Sequence, residues 1–398
     1  MKSKKSFAEI LESMDGERLR RLARKLPGWE GADIVVPSSL ALEQCSSSAA
    51  AEYKARTALE WSGGRLRTVC DITGGLGADS AAFALVADKV VYVEKNPALA
   101  EAARHNFAAL ALPNVEIRCE EVGPDSELPE CDLIYADPAR RSESGRKLFR
   151  LGDCSPDIGL LAPKLLEHCV RLMVKLSPMA DISLLRSRFD GILEEIHIVE
   201  SGGEVRELLC LLGRQARFGG LRVVELGYGG RPDTFSFMPE EEAAAESSIA
   251  SALPSGRILF EPSAAVMKSG AFKLVCSRYG ICQLAPSTHL YVAVSGSESD
   301  GVPPPAAFFK GYEIEELFPL NSASVRELKS RRLRAGVSAR NLRISSDELR
   351  SRLGCRPGED RHVFGCFTVC LGNVLIVARP VPPFPGTTES GDSRRISA

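Results

Sequence analysis

The chain has 398 residues, 44% of them hydrophobic and 26% charged, with a formal net charge of −2. That length exceeds one ordinary domain, and the composition is that of a globular protein rather than a disordered or fibrous one. No apolar run reaches the roughly 18–20 residues of a membrane span, and a near-neutral charge announces no global field for nucleic acid. The basic start, Met1 to Ser6, is followed by Glu9 and Glu12, which argues against a secretory signal and for a cytoplasmic protein. Twelve cysteines stand singly with no C-x-x-C pair, and they read as small core residues in a reducing compartment. The five histidines lack ligand spacing, so no metal is expected.

Taken in order, residues 1–64 read as a helical segment. Leu19, Leu22, Ala23 and Leu26 recur at helical spacing before Pro27, and a second amphipathic stretch runs from Ala49 to Trp61, ending at Gly63-Gly64. Residues 65–215 alternate strands and helices in the manner of βαβ units. Strands are expected at Leu66–Cys70, Lys89–Val93, Val115–Cys119, a fourth ending at Asp137, and Arg171–Lys175. Helices are expected at Ser80–Val86 and Ala98–Leu110. Ile192–Glu200 and Glu204–Gly213 read as a closing antiparallel pair. Residues 216–325 and 326–385 change to short mixed strands and helices, with helices expected at Ser263–Lys268 and Glu327–Ala335. Residues 386–398 lack apolar content and are expected to be a disordered tail.

The most informative stretch is Asp71-Ile72-Thr73-Gly74-Gly75-Leu76-Gly77. Gly75 and Gly77 can take positive φ and let the backbone pass close to a ligand. The spacing D-x-x-x-G-x-G differs from the G-x-G-x-x-G of NAD enzymes. Asp71 can stand near a cationic group such as the ammonium of S-adenosylmethionine, whereas it would repel the pyrophosphate of NAD. Glu94, at the end of the second strand with no arginine beside it, suits a free ribose diol. A tight βα turn with no ligand is the bland alternative. The fourth strand ends in Asp137-Pro138, whose proline stiffens a turn at the carboxyl end of the sheet, where ligands of open α/β sheets bind.

This Asp-Pro resembles the D/N-P-P-Y loop of class I methyltransferases that modify exocyclic amines of bases. Here Ala139 replaces the second proline and Arg140 the aromatic, so the stacking partner for a flipped base is missing from its usual place. Arg140 and Arg141 are candidates to hold a phosphate or stack on a base instead. Farther on, Lys329 to Arg334, with Arg340 and Arg343, forms a dense basic segment that reads either as an RNA contact or as a solvated helix face.

Taken together, DITGGLGADS, YVEKNP (Tyr92 to Pro97), YADPARR (Tyr135 to Arg141) and VKLSPMADIS (Val174 to Ser183) are similar to a bacterial family of class I S-adenosylmethionine-dependent methyltransferases with a C-terminal THUMP-like domain. The likeness extends to SLALEQCSS (Ser39 to Ser47), FEPSAAVMKSGAFK (Phe260 to Lys273) and Pro286 to about Pro380. It implies an α/β fold: a Rossmann-like methyltransferase domain behind an N-terminal helical segment, then ferredoxin-like (216–325) and THUMP-like (326–385) α+β domains. Carried over by position, the resemblance gives a cofactor pocket of Asp71, Thr73, Gly74, Gly75, Gly77, Glu94, Asn96 and Glu121. Asp137 and Pro138 would face the methyl acceptor. Lys175 and Ser177 share that rim, and Gln44, Ser46 and Ser47 either close over the pocket or cap helices.

The expected activity is S-adenosylmethionine-dependent methylation of an exocyclic base nitrogen in RNA (tRNA or rRNA). Arg140, Arg141, Lys175, Ser177, Arg331, Arg332 and Arg334 are the candidate substrate contacts, and no metal is required. The competing readings are an RNA-binding protein with an idle methyltransferase fold, a methyltransferase of another substrate class and, least favoured by the glycine spacing, an NAD(P)-dependent enzyme.

Overall fold

A computed structural model describes residues 16–140, 152, 154–227, 231–293 and 304–382. The chain divides into two compact units, the first holding most of residues 1–232 and the second most of 233–398.

The first unit opens with helices α1 (Gly16–Lys25), α2 (Ser39–Gln44) and α3 (Ser48–Trp61). Ser38 and Ser47 cap the latter two, accepting from the Ala41 and Ala50 amides. The extended stretch between α1 and α2 is pinned by Asn106, which accepts from Val35 N at 2.7 Å and donates to Val35 O at 2.9 Å. Buried backbone polar groups need such partners, because an unmet one costs about 1–3 kcal/mol. Leu22, Leu26, Trp29 and Leu42 then pack with Leu76, Tyr92 and Phe107 into one core beside the glycine loop.

Strands β1 (Leu66–Asp71), β2 (Ala87–Val93), β3 (Val115–Arg118), β4 (Cys131–Ala136) and β5 (Cys169–Leu176) are joined by parallel pairings β3–β2–β1–β4–β5. The helices α4 (Ala78–Ala84), α5 (Pro97–Ala109), α6 (Ile158–His168) and α7 (Ile182–Arg188) fall between or after them. Strands β6 (Leu193–Ser201), β7 (Glu204–Gly213) and β8 (Gly220–Glu225) follow, β7 entering antiparallel to β5. The order β8-β6-β7-β5-β4-β1-β2-β3 reverses between β1 and β4. That is the switch point at which the carboxyl ends of two strands diverge and leave a crevice. The closing hairpin and the parallel sheet stand where the sequence placed them. Arg141 lies outside the described residues, as does the 386–398 tail.

In the second unit, β9 (Ile258–Pro262), β10 (Ile281–Gln283), β11 (Tyr291–Ala293), β12 (Phe309–Pro319), β13 (Gly336–Arg340), β14 (His362–Thr368) and β15 (Gly372–Pro380) form a sheet ordered β10-β11-β9-β12-β15-β14-β13. Its pairs are antiparallel except β13 with β14. One face packs Leu259, Val292, Ile314, Phe364 and Ile376. The other lies under α8 (Ser322–Ser330) and α9 (Ser346–Leu353) through Leu328, Leu349, Leu353, Val363 and Leu375. One local expectation fails here. The helix expected at Glu327–Ala335 begins at Ser322, because Asn321 caps it by accepting from Ala323 N and Ser324 N, and it ends at Ser330. The long strand β12 and the helix α9 were not foreseen. Among the described residues no helix is long and apolar enough to cross a membrane.

Candidate active site

The glycine loop after β1 is shaped by its surroundings. Gly75 and Gly77 have φ of +56° and +91°, a region that disfavours side chains, and Gly77 serves as the N-cap of α4. A Cβ at Gly74 would lie inside the Tyr92 ring, and one at Gly77 would press on Phe107. Tyr92 completes the fit by donating its hydroxyl to Gly75 O at 2.6 Å. Glu94 sits opposite: one carboxylate oxygen accepts from Gly75 N at 2.9 Å and the other from Asn96 N at 2.7 Å. Asn96 in turn caps α5 through Ala98 N.

Asp71 is not on the surface of the crevice. It is 1% exposed and accepts from Ser80 Oγ at 2.6 Å and Thr73 N at 3.0 Å. Burial raises its carboxyl to about 7. Its direct work is to hold the start of the loop. Thr73 passes that order to the second motif, since its Oγ1 accepts from Asp137 N at 2.6 Å.

Above these residues lies a cavity of about 440 Å³, into which Thr73, Gly74, Gly75, Gly77, Glu94, Asn96, Glu121, Asp137 and Lys175 all open. Gln44 and Ser46 also reach its wall, whereas Ser47 is the cap of α3. Pro138 and Ser177 do not line it; Ser177 Oγ accepts from Met179 N in the turn after β5. Arg140 contributes backbone to a two-residue antiparallel ladder between Ala139–Arg140 and Cys154–Ser155. Arg331, Arg332 and Arg334 belong to the second unit. Of these, Arg331 is committed to Glu316 at 2.7 Å and Glu327 at 2.6 Å.

Lys175 reaches across from β5 to Asp137, with Nζ to Oδ2 at 2.5 Å. Burial opposes its charge, but Asp137, Glu207 and Asp79 outweigh that and raise its pKa. Beneath the pair lies a polar cluster that the sequence did not reveal. Lys54, 0% exposed, contacts Ser46 Oγ at 2.7 Å, Asp79 Oδ1 at 2.8 Å and Glu207 Oε2 at 3.3 Å. Asp79 also accepts from Ser46 Oγ at 2.8 Å and from the Tyr135 hydroxyl at 3.1 Å. Burial alone would raise Asp79, yet Lys54 and Lys175 hold it low, while burial dominates Glu207 and raises it. The one signal for this cluster was Asp79 itself, a carboxylate in an otherwise small and apolar first helical turn.

The wall of the cavity carries Asp79, Glu94, Glu120, Glu121 and Asp137 against Lys95 and Lys175. That excess of carboxylates fits a cationic ligand and opposes a pyrophosphate. Each Glu94 oxygen keeps a lone pair for a hydroxyl beyond the amide it already accepts. The donor set therefore suits a sulfonium nucleoside with a free ribose. Among the described residues no cluster of His, Cys, Asp or Glu could hold a metal ion.

A switch-point crevice, a glycine turn, a carboxylate just past β2 and the antiparallel entry of β7 are the features of a class I methyltransferase. Comparison with known proteins agrees. A candidate methyltransferase of Porphyromonas gingivalis W83, solved by crystallography, is 30% identical and matches with a TM-score of 0.76 over 95% of both chains. Curated proteins of two Mycobacterium tuberculosis strains, CDC 1551 / Oshkosh and H37Rv, each named an uncharacterized S-adenosylmethionine-dependent methyltransferase, are 28% identical over 324 residues. The match spans 80% of this chain and 81% of theirs. Family models match a ferredoxin-like domain at residues 259–297 and a THUMP domain-like segment at 309–380. The chain belongs to the family of S-adenosylmethionine-dependent methyltransferases that carry ferredoxin-like and THUMP-like domains, and S-adenosylmethionine is its methyl donor.

Proposed function

We propose that this enzyme methylates an exocyclic base nitrogen of RNA, tRNA or rRNA, with Asp137 facing the acceptor. The observation that carries the reading is the Asp137 turn, set at the switch point by Thr73 and opening into the same cavity as the glycine loop. The THUMP-like segment supports RNA as the substrate class, by analogy with RNA-binding THUMP domains. When bound, S-adenosylmethionine supplies an activated methyl group on its sulfonium. Thr73, Gly74, Gly75 and Gly77 would lie along the cofactor, with Glu94 on the ribose hydroxyls and Asn96 and Glu121 toward the base. The protein then has to align acceptor with donor and keep water out, a positioning effect worth up to roughly 7–11 kcal/mol.

Asp137 has one oxygen on Lys175 and, among the described residues, one open to accept an amine N–H. The proton shed after transfer can pass to that carboxylate. Lys175 fixes the carboxylate's orientation. The same loop lacks an aromatic after Pro138, so base stacking has to be supplied by other residues.

The test is transfer of radiolabelled methyl from S-adenosylmethionine to bacterial RNA transcribed in vitro, with ribonuclease-treated controls. Wild type is expected to label ribonuclease-sensitive material. Asp137→Ala is expected to lose transfer by at least a hundredfold while its calorimetric affinity for the cofactor stays within threefold. Label that survives ribonuclease would move the substrate to another class. Cofactor binding without transfer to any RNA would make the protein an RNA-binding scaffold with an idle fold.

A further inference from the structure

The second unit carries a cavity of about 830 Å³ between the start of α8, the loop after β13 and the start of β15. Its wall presents Arg326, Arg343 and Arg352 together with Asn321, Asn341 and Asn373, and no acidic side chain. Arg352 is held by Glu348 at 2.5 Å, and Arg326 Nε leans on Ser322 O at 3.3 Å. Arg343 is exposed and makes no ion pair among the described residues. Asn341 has φ of +55°, a strained setting for a side-chain-bearing residue, and it donates to Thr288 Oγ1 at 3.4 Å. Thr288 in turn donates to Phe367 O at 2.6 Å, so the wall is tied to the β14–β15 hairpin. Phe367 stands opposite Asn373 in that hairpin. At the tip Phe367, Val369 and Leu371 are 37%, 57% and 50% exposed.

We infer that this groove, rather than the basic segment at 329–334, is the single-stranded RNA contact of the second unit. The inference rests on the reading of RNA as substrate and deepens it. Arg326 and Arg343, which face no carboxylate among the described residues, together with Arg352, which shares its guanidinium with Glu348, match successive phosphates. Asn373 offers a paired donor and acceptor to a base edge, and Asn321, whose oxygen caps α8, adds its amide donors. An exposed phenyl ring at the rim is a platform for a base, and stacking of that kind tolerates any sequence. An acidic peptide would use the arginines but leave the ring and amides without work. By contrast, Arg331 of the basic segment is neutralised by two glutamates and lies over the Phe318 ring, 5.3 Å from its centroid.

The experiment measures binding of the full chain to a fluorescent single-stranded RNA 12-mer of mixed sequence as a function of salt. Arg326→Gln/Arg343→Gln/Arg352→Gln is expected to weaken binding at least tenfold at 0.1 M salt. It should also flatten the slope of log K against log salt by about two, at about 0.7 per lost phosphate contact. Phe367→Leu keeps the apolar bulk and loses the ring, and is expected to weaken binding about fivefold or more, with Phe367→Tyr close to wild type. The matching triple glutamine change at Arg331, Arg332 and Arg334 is the comparison. If that change alone reduces affinity and slope, the groove assignment is overturned and the RNA reading stands. Wild-type affinity in the groove variants would likewise overturn it and leave the groove to a protein partner. No binding of any RNA by wild type would remove both the groove and the RNA substrate.

Discussion

Glu94 is asked to do two things with one carboxylate. It accepts two backbone amides of its own protein and still presents lone pairs to the cavity. Glu94→Ala is therefore expected to weaken S-adenosylmethionine binding by about 1–3 kcal/mol, partly through the ligand and partly through the released Gly75 amide. Glu94→Gln should retain one of the two amide contacts and lose less, and titration calorimetry on both variants separates the contributions. Equal affinities for wild type and Glu94→Ala would take the residue out of the site. Gly74 is constrained from the opposite side. A methyl there meets the Tyr92 ring, which is fully buried and bonded to Gly75 O. Gly74→Ala should destabilise the protein by about 1–3 kcal/mol, as overpacking does, and Tyr92→Leu should restore part of the loss in denaturant unfolding. A lone Gly74→Ala with wild-type stability would mean that the loop can move aside.

At the scale of elements, the parts legible in the sequence were those whose backbone chemistry leaves few choices. The loop from Asp71 to Gly77 and the turn at Asp137-Pro138 could be placed because glycine and proline mark conformations directly. The hairpin of β6 and β7 followed from two long apolar runs divided by Gly202-Gly203. Lys54 was unreadable for the opposite reason. A lysine in an alanine-rich helix looks solvated, and its partner Glu207 lies 153 positions away on β7. Asp71 looked like a ligand because a carboxylate beside glycines often is one, but only packing reveals that Ser80 and Thr73 enclose it. In the second unit, β12 mixes Glu313, Glu315 and Glu316 with apolar residues, so its pairing with β9 and β15 had no clean alternation to announce it.

The cluster around Lys54 joins α3, α4 and β7 by charge rather than by apolar contact. Lys54→Met should leave Asp79 and Glu207 buried without their counter-ion, at a cost of about 3–5 kcal/mol. Adding Asp79→Asn and Glu207→Gln should recover much of it. A single Lys54→Met with an unchanged unfolding midpoint would show that water already solvates the cluster.

For the molecule as a whole, burial raises two carboxyls to about 7: Asp71, at the end of β1, and Glu225, at the end of β8. Their ordinary values are 3.8 and 4.5. Between those values and 7 these two groups hold more protons in the folded chain than in the unfolded one, so their share of stability falls as pH rises through that window and levels off above it, against the opposite trend from His197, His289 and His362, whose pKa values burial lowers. Thermal unfolding from pH 4 to 8 is expected to show this decline as a difference between wild type and a variant lacking both carboxyls. Asp71→Asn with Glu225→Gln should flatten it, leaving the contribution that Glu207 makes in the same direction. A decline of equal size in the double variant would place the titration elsewhere.

The Glu94 latch has a consequence for binding. Because the carboxylate fastens Gly75 through the chain's own hydrogen bond, a nucleoside bound at Glu94 would leave the Gly75 peptide in place rather than have to order it.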